Sequence, residues 1–123
     1  MILASYDLRH KKYHRYPTRQ NRYAPFAVNG NWGFVEVDKE DNASIVILDN
    51  TFQKEIFRVK GSGDELFVHP SYDGKNNIVT VVVSSKGKHL ESIDIQTGKR
   101  TPITACTPYE IDNPITVNDQ IIY

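Results

Sequence analysis

The chain has very little from which to build covalent or redox chemistry. Cys106 is the single cysteine among 123 residues, which excludes an intramolecular disulfide and leaves no second thiol for a metal or redox motif. No run of 18 apolar residues occurs, so no segment has the length of a membrane-spanning helix. The opening Met1-Ile2-Leu3-Ala4-Ser5-Tyr6 has no basic flank, and no signal peptide is expected from it. Net charge is absent too: 15 Lys and Arg balance 15 Asp and Glu. A 14.1 kDa chain with 39% hydrophobic residues suits one small domain with a core and little room for a separate catalytic domain.

What is present is polarity along the chain and an internal repeat. Residues 1 to 35 carry a charge of about +5 and residues 36 to 123 about −5. Such asymmetry suits an anion-binding arm, or two parts or two copies of a fold that attract each other. Pro25, Pro70 and Pro114 stand 45 and 44 residues apart as turn-like landmarks, each followed four positions on by Asn29, Gly74 or Asn118. An Asp with a Lys five positions later recurs as Asp7 with Lys12, Asp49 with Lys54 and Asp94 with Lys99. The two series keep step, and self-similarity at this period is the signature of propeller blades.

Between these landmarks the local signals are those of strands. Trp32 to Val37, Ser44 to Leu48 and Lys54 to Val59 form one set, with a turn over Asp38 to Asn42. The second set runs Leu66 to Val68, Ile78 to Val83, Leu90 to Ile95 and Thr101 to Thr104. Turns at Asp73-Gly74, Lys86-Gly87 and Thr97-Gly98 separate its strands. Ile78 to Val83 is apolar on both faces, as in a strand covered on either side. No segment has a capped helical period. Each unit is expected to be about four short antiparallel strands.

His69-Pro70-Ser71-Tyr72-Asp73-Gly74-Lys75, followed by an apolar strand, Ile93-Asp94-Ile95-Gln96-Thr97-Gly98-Lys99 and Ile103-Thr104, resembles the WD-like propeller repeat of TolB-like proteins. The repeat type is shared with the propellers of prolyl oligopeptidase and tricorn relatives, whose turn usually reads Ser-Pro-Asp-Gly-Lys; Tyr72 departs from it. The resemblance covers residues 69 to 104, is weaker over 25 to 59, where Asn29-Gly30-Asn31 replaces Asp-Gly-Lys, and is partial at the two ends. It implies an all-β, propeller-type module of about three blades: the end of one over 1–17, whole blades at 25–59 and 70–104, and the start of another over 109–123. Closed propellers need at least about four blades. The expectation is therefore a piece of a longer propeller, or two copies completing a ring, with a flattened β-sandwich as the remaining alternative. Apolar blade faces left open would need a cover.

The resemblance implies a non-catalytic scaffold whose loops hold a protein or glycan partner. It also suggests the periplasm or cell envelope. The alternative is the substrate-gating propeller of a prolyl oligopeptidase-like peptidase, its hydrolase domain lying elsewhere. Candidate contact residues, from turn position alone, are His69, Tyr72, Trp32 and Tyr109; Trp32 and Tyr72 serve equally as packing between blades.

The residues themselves offer no catalytic set, and neither cofactor nor metal is expected. Gly61-Ser62-Gly63 lacks the second glycine spacing of a nucleophile elbow. Cys106 has no adjacent cationic cluster to activate it. His10 and His14 in a strand stand about 13 Å apart, too far to share a metal. His69, at the mouth of a turn, and His89 suit local hydrogen bonds. Asp49 and Asp94 read as turn caps that accept backbone N–H groups two or three residues on. Asn42-Ala43-Ser44 matches the glycosylation triplet, a pattern common by chance. Residues 9 to 23 hold six cations and three tyrosines, the composition of a nucleic-acid arm, but alternation in a strand makes them an ordinary solvated face.

Overall fold

The computed structural model describes residues 3–7, 12–16, 21–104, 115–117 and 120–122, with side chains described from 22 to 104. The described chain is all strand and turn. The strands are β1 (Leu3–Asp7), β2 (Lys12–Tyr16), β3 (Asn21–Val28), β4 (Asn31–Val37), β5 (Ala43–Leu48), β6 (Glu55–Lys60), β7 (Leu66–Tyr72), β8 (Asn77–Ser84), β9 (Gly87–Asp94), β10 (Arg100–Pro102), β11 (Ile115–Val117) and β12 (Gln120–Ile122). They form two four-stranded antiparallel meanders, β3-β4-β5-β6 and β7-β8-β9-β10, and two hairpins, β1-β2 and β11-β12.

Composition decides which strands lie in the middle of each sheet. Every residue of β5, Ala43 to Leu48, is buried, and so are Ile78 to Val82 of β8. Side chains alternate across a strand, so burial of consecutive residues means that both faces of the sheet are covered. The outer strands β6 and β10 are largely exposed and carry Glu55, Arg58, Lys60 and Arg100. Charges on an edge discourage further pairing with other chains.

The two meanders pack face to face. Val35, Ile45, Ile47 and Val59 of the first meet Phe67, Ile78, Val82 and Ile93 of the second in one continuous core. The opposite faces are also apolar: Phe34, Val46 and Leu48 gather on the first sheet, and Val79, Val81 and Leu90 on the second. All six are buried. The exposed apolar faces expected for an open stack are therefore not found on these two sheets.

The repeat is written into the backbone as well. In β3 the register shifts between Tyr23 and Phe26, and in β7 between Val68 and Ser71. Each bulge holds the same pair, a residue in the left-handed region and then proline: Ala24 (φ 55°) with Pro25, and His69 (φ 51°) with Pro70. Proline has no N–H to give to a ladder and is tolerated at bulges in outer strands, which accounts for both positions. This corrects two expectations from the sequence. Pro25 and Pro70 sit inside strands instead of marking turns, and His69 occupies a mid-strand bulge, not a turn mouth. Pro114 lies outside the described residues.

Phe67 is fully buried between the sheets, whereas Ile56 on the edge is 51% exposed. Truncating Phe67 to alanine is expected to cost about 3–5 kcal/mol of unfolding free energy, against at most about 0.5 kcal/mol for Ile56→Ala. Urea denaturation of the two variants beside the parent chain measures both.

Candidate functional site

Register places the turns at two opposite ends of the sheet pair. Trp32 lies opposite Leu48, Tyr72 opposite Ile78, and Asn77 opposite Asp94. One end therefore carries the β3–β4 turn at 29–30, the β5–β6 loop at 49–54, the β7–β8 turn at 73–76 and the β9–β10 turn at 95–99. Asn29 joins the two sheets there, its Nδ2 donating to the Tyr72 hydroxyl at 3.0 Å while that hydroxyl donates to the Lys75 carbonyl at 3.1 Å.

The loops at this end are held by aspartates. Asp73 Oδ1 accepts the backbone N–H groups of Lys75, Asn76 and Asn77, and Asp94 Oδ1 those of Gln96 and Thr97. Asp49 Oδ1 takes the Thr51 hydroxyl and the N–H groups of Gln53 and Lys54. Asp94 caps at the spacing its sequence suggests; Asp49 reaches two residues further because its loop turns at Phe52, itself at φ 62°. Burial tends to raise the carboxyls of Asp49 and Asp73, but the backbone N–H groups they accept outweigh it and hold both below the ordinary carboxylate range.

The four residues singled out from the sequence are only partly brought together. Trp32 and Tyr72 both belong to this end and both are half-buried. Trp32 stacks on Phe52 with ring centroids 6.2 Å apart, and Tyr72 packs against the shared core while its hydroxyl binds Asn29. His69 is exposed in its bulge along β7. Tyr109, Cys106 and His10 lie outside the described residues, and His14 pairs with Ser5 in the β1–β2 hairpin.

Two charged clusters escape a reading of the sequence. On the outward face of the first sheet, Glu36 is buried and receives Arg22 Nε at 3.0 Å and Arg58 Nη1 at 2.9 Å; Arg58 also reaches Glu55 at 2.8 Å. The Arg22 guanidinium lies 4.5 Å from the Phe34 ring centroid. Beside this cluster, at the end opposite the aspartate-held loops, Glu36, Asp38, Asn42, Ser44, Arg58 and Lys60 line a polar cleft of about 260 Å³. Asn42 of the glycosylation triplet points into it, its amide donating to Asp38 Oδ2 at 3.4 Å.

The second cluster lies on the inward face of the second sheet. Arg100 binds both oxygens of Glu65, at 2.9 and 3.2 Å, and both oxygens of buried Glu91, while His89 Nε2 lies 2.7 Å from Glu91 Oε2. The guanidinium sits 5.3 Å from the Phe67 ring centroid. Burial opposes the charge on Arg100, but Glu91 and Glu65 more than compensate and push its pKa up. Burial likewise tends to raise the Glu65 carboxyl; Arg100 and the Ser62 N–H prevail and lower it. The signal for both clusters was a single acid inside an apolar strand, as in Phe34-Val35-Glu36-Val37 and Leu90-Glu91-Ser92-Ile93. Such an acid must find cations, and only the fold shows which ones.

Chemically, these arrangements fix charge instead of presenting it. Glu36 and Glu91 are each held by two basic side chains, and the turn aspartates hold backbone. Among the described residues no group of three or more His, Cys, Asp or Glu is arranged to hold a metal ion. No helix among them is long and apolar enough to cross a membrane.

Arg100→Met is expected to lower stability by about 3 kcal/mol, because it leaves Glu91 buried without its guanidinium; chemical denaturation at neutral pH reads this directly. Acid has a second effect. Glu65, Asp38, Asp49, Asp64 and Asp73 all have lowered folded-state values. Their stabilisation is complete above the unfolded carboxyl value of about 4 and is lost as pH falls through the folded values. The urea midpoint is expected to be flat from about pH 7 to pH 5 and to fall between about pH 4 and pH 2.

Comparison of the chain with protein-family models, with curated proteins and with solved structures finds no match.

Proposed function

We propose that the chain is a non-catalytic binding module of propeller type. Its two meanders act as consecutive blades of the TolB-like repeat kind, and the aspartate-held end presents a protein or glycan surface. The observation that carries this reading is the contact between the leading strands of the two sheets, one repeat apart. Tyr23 donates to the Phe67 carbonyl at 3.1 Å across 44 residues, and Asn29 to Tyr72 across 43. Blades around an axis meet through equivalent leading strands in this way, with both faces of each blade covered. On this reading further sheets of the same polypeptide, or a second copy, complete the ring.

Binding without catalysis is supported by how the ionisable groups are used. The buried acids are locked to guanidinium groups, and the Asp49, Asp73 and Asp94 carboxylates stiffen the loops that frame the surface. Rigid loops on a packed scaffold lower the ordering cost of association. The half-buried Trp32 and Tyr72 supply aromatic area, the side-chain type enriched where partners dock. The cationic stretch at 9 to 23 does not favour a nucleic-acid partner at its described end, since Arg22 is committed to Glu36 and to the Phe34 ring.

An oligosaccharide array and a peptide array screened with the labelled chain, followed by amide chemical-shift mapping of whichever compound is retained, test the proposal. Shifts are expected to cluster at 29–32, 49–54, 72–76 and 95–99, with the compound recovered unchanged. Failure to retain any compound, shifts centred on 38–42 and 61–65, or chemical conversion of the compound would overturn it.

A further inference from the structure

The turn between β3 and β4 consists of Asn29 and Gly30 alone, at φ 49° and 77°. Both are exposed. A Cβ placed on Gly30 would meet nothing within 4 Å, and the Gly30 N–H donates to no group among the described residues. This is the one Asn-Gly step in the sequence. Its repeat counterpart 44 residues on, Asp73-Gly74, has its side chain pinned by three backbone N–H groups of its own turn. Asn29 instead sends its amide out of the turn to the Tyr72 hydroxyl of the other sheet at 3.0 Å.

We propose that Asn29 is a site of spontaneous deamidation and that the Tyr72 hydroxyl slows it. The free Gly30 backbone nitrogen attacks the Asn29 side-chain carbonyl carbon, forming a new C–N bond. The side-chain nitrogen takes up the proton that the Gly30 nitrogen gives up and leaves as ammonia, so a five-membered succinimide remains. Water then opens either ring C–N bond, giving aspartate or isoaspartate. No oxidant or reductant is involved, and the only co-reactant is solvent water. Glycine is the follower that makes the first step feasible, because no Cβ crowds the attacking nitrogen.

On this proposal the amide leaves Tyr72 to react, because its nitrogen departs as ammonia, and this gives the reaction a structural consequence. The product carboxylate has no N–H to donate, so the Asn29–Tyr72 link between the two sheets is lost in its present form. A negative charge is added at the end that carries Trp32 and Tyr72. Isoaspartate, with one more backbone carbon, no longer fits a two-residue turn. Asn29 and Tyr72 meet whatever partner that end binds, so the chemistry at Asn29 does not depend on a binding role.

The test is to hold the purified chain at neutral pH for several weeks and to follow the tryptic peptide Tyr23–Lys39 by mass and chromatography. A gain of about 1 Da with splitting into two products is expected. Tyr72→Phe is expected to convert about two- to tenfold faster, the factor set by losing one hydrogen bond of ordinary strength. Asn29→Gln is expected to stop the conversion in that peptide, with folding of each variant verified by circular dichroism. A folded wild-type peptide that stays unmodified while the urea-unfolded chain converts would overturn the site. Equal rates in wild type and folded Tyr72→Phe would overturn the role of the hydroxyl.

Discussion

A strand that is apolar on both faces cannot stand at the surface of a stack, and two of the strands here, β5 and β8, are of that kind. Everything else in the arrangement answers to this. Each of these strands takes a central place in its own meander, and one face of each meander is covered by the other meander through the core that runs from Val35 and Ile45 to Phe67, Ile78 and Ile93. Because burial of apolar area is non-directional, it brings the sheets together without fixing how they lie. The polar contacts supply the fixing. Tyr23 reaches the Phe67 carbonyl, and Asn29 reaches Tyr72. Hydrogen bonds of this type add little net energy, yet they leave a single relative placement in which their partners are satisfied.

Buried charge plays a related part. Glu36 ties β4 to β3 through Arg22 and to β6 through Arg58, so one carboxylate links three strands of the first sheet. Arg100 on the short edge strand β10 ties Glu91 of β9 to Glu65 ahead of β7, and so joins the first and last parts of the second meander. A hydrophobic replacement of similar volume would hold the sheet at least as tightly, since desolvating ions is costly. What the ionic version adds is register. A slip of one residue turns an acid to the wrong face, away from its guanidinium. The two sheets solve the same problem with different residues, which is why the ionic clusters do not follow the 44–45-residue period.

Much of the frame was legible in the sequence because strand alternation, turn residues and periodicity are local. Trp32 to Val37, Ser44 to Leu48 and Ile78 to Val83 appear as strands within a residue or so of where they were expected. Asp94 caps its turn at the expected spacing. What misled was proline. Pro25 and Pro70 mark the repeat, and proline usually marks turns, but here each sits in a bulge, a feature that exists only once a partner strand defines the register. For the same reason the first three residues of β3, Asn21 to Tyr23, were read as the end of a basic stretch. The pairings of Glu36 and Glu91 were illegible, since nothing local says which arginine, 14 or 22 positions from Glu36 and 9 from Glu91, will meet each acid.

The two ends of the sheet pair have come to differ in a way that bears on function. At one end, side-chain carboxylates are turned inward onto the backbone of their own loops, so Asp49, Asp73 and Asp94 contribute stiffness more than outward charge. Aromatic area from Trp32 and Tyr72 lies among them. At the other end Asp38 likewise accepts the backbone N–H groups of Glu40 and Asn42 in its own loop, and it stands with Glu36, Arg58 and Lys60 around a small polar cleft. A surface that is rigid and partly aromatic binds by shape and by displacing water, and it loses little entropy in doing so. In the cleft Glu36 is already paired with Arg22 and Arg58, so those charges have little left to offer a partner. On the binding role proposed above, the Trp32 and Tyr72 end is the one suited to a partner, whereas at the other end Glu36 holds β3, β4 and β6 of the first sheet together.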